Sequence, residues 1–210
     1  MQKITWLLAS GNAHKLEEFR RLFGPAGIEI QGPADVGGLA EVEETGATFL
    51  ANATLKATSA ARATGRLALA DDSGLCVDAL DGAPGVRSAR FAGEGASDGE
   101  NRGRLLEQMV GVPQGRRSAH FTCALVLVAP DGRVVAEVEG RTHGQILGEE
   151  RGEGGFGYDP VFLFDEPGDP ARGRSFAELT PAEKDRVSHR GRALGELLER
   201  LPQLDLGAQT

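Results

Sequence analysis

The opening of the chain constrains its fold most. Residues 3–9 are a largely apolar run, and Ser10-Gly11-Asn12 breaks it. Asn12 is suited to capping a helix that extends to about Phe23, with Leu16, Phe19, Leu22 and Phe23 on one face. A buried strand running straight into an amphipathic helix needs cover for both elements, which points to an α/β fold. Later segments extend the pattern. Residues 28–31 read as a short strand, Thr45 to Ala63 as an alanine-rich helix, and Leu67 to Ala70 as a strand ending in Asp71-Asp72-Ser73-Gly74, with Leu75 to Val77 extended beyond it. Ser97 and Glu100 form a capping box for a helix to about Val110. Ala119 to Ala129 is the strongest strand, and Asp131-Gly132 predicts a hairpin with Arg133 to Gly140 returning. Further strands are expected at His143 to Leu147 and Val161 to Phe164. Leu194, Leu197, Leu198 and Leu201 mark a last helix that Ser188 can cap. The antiparallel hairpin makes the expected sheet mixed.

With 210 residues, one domain is expected over 1–204, with 205–210 as a flexible tail. Such a chain buries roughly 70% of its unfolded surface without a disulfide or metal staple. The net charge of −8 argues against nucleic acid and anionic membrane as partners. The longest apolar run, Cys123 to Ala129, is far too short to span a bilayer, and no secretory signal is legible. Cys76 and Cys123 sit among apolar neighbours and read as free thiols, so a cytoplasmic location is expected. Only four of the 23 basic residues are lysines: Lys3, Lys15, Lys56 and Lys184. In a chain that otherwise uses arginine, each marks a place where a compact ammonium is wanted.

Four constellations could carry chemistry. Ser10-Gly11-Asn12-Ala13-His14-Lys15 joins a strand to a helix N-terminus, where free N–H groups and a partial positive charge suit phosphate. It is not a Walker A loop, because the chain has no Gly-Lys pair. Asp71-Asp72-Ser73-Gly74 places carboxylates at a strand end, with Glu41, Glu43 and Glu44 as a second acidic cluster. A cleft aspartate can hold Mg²⁺ or take a proton from water. Gly152 to Gly157 matches a dinucleotide pattern, but Pro160 and an apolar strand follow where a helix is required. That segment reads instead as a flexible loop presenting Phe156 and Tyr158 for stacking on a flat base. Finally, Lys184 and Ser188-His189-Arg190 gather cationic donors at a helix start, against the dipole preference, as an anionic or keto-rich ligand would require.

Phosphate binders, a metal carboxylate, an aromatic platform and hydrogen-bond donors together suit a nucleoside triphosphate. The chain resembles the inosine triphosphate pyrophosphatase family, the XTP/dITP diphosphatases. The matching stretches are Ser10-Gly11-Asn12 with Lys15 and Glu18, Glu43-Glu44-Thr45-Gly46, Asn52-Ala53 with Lys56-Ala57, and Ala70 to Leu75. They continue with Gly82-Ala83-Pro84-Gly85-Val86, Ser88-Ala89-Arg90, Gly154 to Pro160, Glu183-Lys184 and Ser188 to Gly191. Two departures are small: Ser10 replaces the usual Thr, and Arg87 replaces an aromatic found in several members.

This resemblance implies an elongated mixed sheet flanked by helices, two lobes enclosing a substrate cleft, and a homodimer. It implies hydrolysis of ITP, dITP and XTP to the monophosphate plus pyrophosphate, with Mg²⁺. It further implies that Ser10, Gly11, Asn12, Ala13, His14 and Lys15 cradle phosphates, with Lys15 also catalytic. Asp72 would be the proton acceptor and a metal ligand, and Glu43 a second ligand. Ser73, Phe156, Gly157, Tyr158, Asp159, Lys184, His189 and Arg190 would contact the substrate. A Maf-like pyrophosphatase and a non-catalytic nucleotide sensor are the competing readings. The complete Phe156-Gly157-Tyr158-Asp159 and Ser188-His189-Arg190 motifs weigh against the first, and Asp72 with Glu43 against the second.

Overall fold

A computed structural model describes residues 4–206. Six strands form one sheet in the order β2-β1-β3-β4-β5-β6. They are β1 (Ile4–Leu8), β2 (Ile28–Gln31), β3 (Ala68–Val77), β4 (Ser118–Val128), β5 (Val134–Ile146) and β6 (Phe162–Phe164). The helices are α1 (Ala13–Phe23), α2 (Phe49–Thr64), α3 (Asp98–Gln108), α4 (Pro181–Val187) and α5 (His189–Arg200). β1 runs parallel to both β2 and β3, while β5 and β6 are antiparallel. The sheet is therefore mixed, as expected.

By its contacts the chain divides into two compact units. The first contains residues up to Asp72, Cys123–Glu139 and the segment from Ala193 onward; the second contains Ser73–Thr122 and Gly140–Arg192.

In the first unit the two-residue period of the strands sorts side chains into two cores. Trp6, Leu8, Leu69, Cys123, Leu125 and Leu127 meet Phe19 and Phe23 of α1 and Ala193, Leu194 and Leu197 of α5. The alternate residues Leu7, Ala68, Ala70, Ala124, Val126 and Val128 meet Ala53, Ala57, Ala60 and Ala61 of α2. Two covered faces explain why these strands read as unbroken apolar runs. Each large side chain so buried contributes about 1.5–3 kcal/mol. Leu204 and Leu206, the latter inside the segment expected to be a tail, pack on the first of these cores; residues 207–210 lie outside the described residues.

The second unit has one aromatic core. Leu75, Val77, Phe121, Ile146, Phe162, Phe164 and Phe176 pack with Leu105 of α3, Met109 just after it and Val187 of α4. Phe121 and Phe176 stack with centroids 5.8 Å apart.

Several boundaries match the sequence reading. α1 ends at Phe23, and the Asn12 side chain accepts the Lys15 N–H at its start. The Ser97/Glu100 capping box opens α3. Four expectations are corrected. β3 continues through Asp71-Asp72-Ser73-Gly74, which does not turn. β5 runs unbroken from Val134 to Ile146, where two strands were expected. It passes β6 closely at Gly144, where a Cβ would stand 2.2 Å from the Leu163 carbonyl oxygen. α2 begins at Phe49, capped by Thr48, rather than at Thr45. α4, a single short helix with a Thr180/Glu183 capping box, had no counterpart in the sequence reading.

Candidate active site

Each unit carries two of the four constellations singled out by sequence, the Asp71-Asp72 carboxylates counting with the first unit. In the first, β1 delivers the chain to Ser10, and residues 10–14 turn into α1. Gly11, Asn12, Ala13 and His14 are exposed, and Ser10 and Lys15 half-buried. The Ser10 hydroxyl accepts the Asn12 N–H at 3.3 Å, which shapes the turn. Lys15 extends to Asp71, its Nζ 2.7 Å from a carboxylate oxygen of that wholly buried side chain.

Successive residues of a strand point to opposite faces, so Asp72 has different neighbours from Asp71. One Asp72 oxygen accepts the Asn52 side-chain amide at 3.0 Å; the other accepts Lys56 Nζ at 3.2 Å. Lys56 also donates to Glu44 at 2.8 Å. Asn52 and Lys56 are four residues apart, so α2 presents them on one face. Burial pushes the Asp72 carboxyl upward; Lys56 opposes it, Glu44 reinforces it, and Asn52 and Lys15 oppose it, with a net rise above the usual carboxylate value. A carboxylate displaced upward is a better proton acceptor near neutrality. Burial alone would lower Lys56, but Asp71, Asp72 and Glu44 outweigh it and hold the ammonium charged.

Glu43, the expected second metal ligand, is exposed, whereas Glu44 is the carboxylate joined through Lys56 to Asp72. Among the described residues no three carboxylate, imidazole or thiol groups form a metal site on their own. Mg²⁺ typically takes one or two protein carboxylates and completes its shell with water and substrate phosphate. In number, the two carboxylates expected from sequence, Asp72 and Glu43, meet that more modest requirement.

In the second unit, the short α4 and α5 meet at Ser188. Its hydroxyl accepts the Gly191 N–H at 3.1 Å, which caps α5 as the sequence suggested. The junction is tight: a Cβ on Gly191 would lie 1.7 Å from the Asp185 carbonyl oxygen. The joint buries Lys184, His189 and Arg190. Lys184 Nζ hydrogen-bonds the Asp159 carboxylate, whose same oxygen accepts the Phe156 N–H at 2.9 Å. Phe156 is half-buried, with Lys184 Nζ 4.7 Å and Arg190 Cζ 5.2 Å from its ring centroid. His189 stacks on Phe121, centroids 4.7 Å apart and planes 10° from parallel. The first turn of α5 has no acidic residue.

Tyr158 departs from expectation. It is buried, and its hydroxyl donates to the Ser88 carbonyl at 2.8 Å. Burial holds its hydroxyl protonated, far above the usual phenol range. Its ring is packed inward, and Phe156 is the more exposed of the two aromatics. Ser73 follows Asp72 in β3 and is half-buried. Gly157 is held by α3, its N–H donating to Asp98 at 2.7 Å and its carbonyl accepting from Arg102 at 2.9 Å.

The clusters define a two-part α/β protein with a buried, cation-paired aspartate in one unit and a cation–aromatic cluster in the other. The chain belongs to the Ham1 family, whose model matches residues 6–200. It is 48% identical over 198 residues to a dITP/XTP pyrophosphatase of Geobacillus kaustophilus, covering 94% of each chain. A dITP/XTP pyrophosphatase of Methylococcus capsulatus is 51% identical over 204 residues, covering 96% of this chain and 98% of that one. Among solved structures, a HAM1 protein from Coxiella burnetii superposes with a TM-score of 0.83 at 40% identity, covering 95% of this chain and 99% of that one.

Proposed function

We propose that this chain hydrolyses the non-canonical purine nucleoside triphosphates ITP, dITP and XTP to the nucleoside monophosphate and pyrophosphate, keeping them out of DNA and RNA. Its curated relatives at about half identity over nearly the full length support the reaction. The observation that carries the site is Asp72: a buried carboxylate, raised in pKa, held between Asn52 and Lys56.

Triphosphates resist hydrolysis because their charge repels a nucleophile. Lys15 and the N–H groups at the start of α1 offset that charge, most strongly as it moves onto the departing pyrophosphate. Asp72 orients one water and takes its proton. The water oxygen bonds to phosphorus, and the bond from that phosphorus to the pyrophosphate oxygen breaks. Asp72 and Glu43 would hold Mg²⁺, which would further neutralise phosphate charge. Ser10 to His14 line the phosphate turn, and Ser73 adds a hydroxyl beside Asp72.

In the second unit Phe156 offers a ring face to the base, and Gly157, Tyr158 and Asp159 fix the loop that carries it. Lys184, His189 and Arg190 are donors for a 6-keto oxygen. Adenine presents an amino donor there and would leave them unpaired, at about 1–3 kcal/mol per buried group. We read residues 1–204 as one catalytic domain, acting as a homodimer in the cytoplasm, with neither nucleic acid nor membrane as a partner.

Pyrophosphate release is the test, measured across ITP, XTP, GTP, ATP, CTP and UTP with Asp72→Asn as control. Preference for ITP and XTP, lost with Asp72, supports the reading. Preference for pyrimidines would indicate a Maf-like enzyme, and binding without release a sensor.

A further inference from the structure

Asn52 is completely buried, yet both ends of its side chain are committed to groups outside its own helix. Its amide nitrogen donates to Asp72 at 3.0 Å, and its amide oxygen accepts the Gly46 N–H at 2.7 Å. The two partners force the orientation, since a backbone N–H only donates and a carboxylate only accepts. The contact at Gly46 leaves no room for a side chain. A Cβ there would lie 2.6 Å from the Asn52 amide oxygen and 2.8 Å from the Ala51 Cβ.

Gly46 belongs to the segment that carries Glu43 and Glu44. Glu44 bonds Lys56, and Lys56 bonds Asp72. Asn52 thus closes a loop of contacts: Asp72 to Asn52, Asn52 to Gly46, along the chain to Glu44, and through Lys56 back to Asp72. A side chain that merely filled space at position 52 could be apolar. A buried amide with one bond to the reacting carboxylate and one to the acidic segment ties the two together.

We propose that Asn52 is a positioning residue for hydrolysis: it fixes the rotation of the Asp72 carboxylate and, through Gly46, holds the 41–47 segment in place beside it. This rests on Asp72 being the proton acceptor. Asn52 does not touch substrate; it sets the direction from which Asp72 meets water.

The test compares wild type, Asn52→Ala, Gly46→Ala, Asp72→Asn and the double variant Asn52→Ala with Asp72→Asn. Each is followed by steady-state and single-turnover ITP hydrolysis, with circular dichroism and thermal melting to confirm folding. Misaligning a catalytic group by about 1 Å can cost about 100-fold. Asn52→Ala is expected to lower kcat roughly 10- to 100-fold on that scale while KM changes less than about threefold. Gly46→Ala, which leaves Asn52 in place but crowds its amide oxygen, is expected to lower kcat in the same direction. In the Asp72→Asn background, removing Asn52 should cost much less than it does in wild type, because contacting residues that act through one group are not additive and only the hold on the 41–47 segment is left to lose.

An Asn52→Ala kcat matching wild type overturns the proposal. So does a double variant slowed, relative to Asp72→Asn, by the full factor that Asn52→Ala costs in wild type, which would mean that Asn52 does not act through Asp72. If Asn52→Ala does not fold, Gly46→Ala decides, and an unchanged kcat there rejects the role. A wild-type chain that releases no pyrophosphate defeats both this proposal and the function beneath it. An active wild type indifferent to Asn52 defeats the positioning role alone.

Discussion

Lys15 Nζ lies 2.7 Å from Asp71, the neighbour of the proposed proton acceptor, and the Asp71 side chain is fully buried. The turn from Ser10 to Lys15 is therefore anchored to β3 by an ion pair. Asp71 points to the face of β3 opposite Asp72. The pair gives it a purpose of its own.

Asp71→Asn is expected to lower kcat/KM for ITP by roughly tenfold or more and to lower the melting temperature. Asparagine keeps the shape but loses the charge that holds Lys15, and a hydrogen bond to a charged group contributes about 1.5–3 kcal/mol. Kinetics across ITP concentrations together with a thermal melt would check this. Unchanged values in both would show that the anchor is dispensable.

Asp72→Asn should reduce turnover by about 10²–10⁴-fold, the usual contribution of a general base, with circular dichroism unchanged. Asparagine can still meet Lys56 through its amide oxygen but cannot accept the proton from water. Turnover near wild type in the purified variant would require a different proton acceptor.

Arg190→Ala should erode selectivity more than rate. Arg190 is buried, with its Cζ 5.2 Å from the Phe156 ring centroid. Losing a charged donor of about 1.5–3 kcal/mol should shrink the ratio of kcat/KM for ITP over ATP by roughly 10- to 100-fold. A ratio that holds while both values fall would reassign Arg190 to phosphate binding or to shaping α5.

The start of α4 gives a prediction in pH. Arg174, with the Thr180 N–H and hydroxyl, holds the Glu183 carboxylate down at about 2, against an ordinary value of 4.5. A depressed carboxylate stabilises the fold fully above its unfolded value and loses that effect as pH falls toward its folded value. Glu183→Gln should therefore melt lower than wild type at pH 7, with the difference closing between about pH 4.5 and 2. A difference that stays constant down to pH 2 would mean that charge at Glu183 is not what matters.

The parts of the fold legible in sequence were those with local causes. Asn12 and the Leu16/Phe19/Phe23 face defined α1, and Ser97 with Glu100 defined the start of α3. The parts that escaped depend on distant partners. Asp-Asp-Ser-Gly reads as a strand end because nothing local shows the Lys15 and Lys56 ammonium groups that let both carboxylates be buried mid-strand. Tyr158 looked exposed because its hydroxyl partner, Ser88, is 70 positions away. Within the site, Asp72 and Lys15 stood out by type and placement. Asn52 and Glu44 were legible only as members of an acidic cluster or of matching stretches, with no role attached, since their partners appear only when α2 packs on the sheet; the scarcity of lysine and the four-residue step from Asn52 to Lys56 were the available signals.

The alanines of α2 have a consequence for how this protein can vary. Ala53, Ala57, Ala60 and Ala61 pack in one cluster with Leu7, Ala68, Ala70 and Ala124, and the one large apolar side chain that α2 adds to it, Phe49, sits at its first residue and is only partly buried. The same helix supplies Asn52 and Lys56, so its distance from the sheet is also the reach of both groups to Asp72. One added methyl at this seam would lift α2 and carry the two groups with it. Chemically inert positions thus inherit the mutational intolerance of the reacting centre, and in a saturation screen for activity they would be as restricted as residues that take part in the reaction.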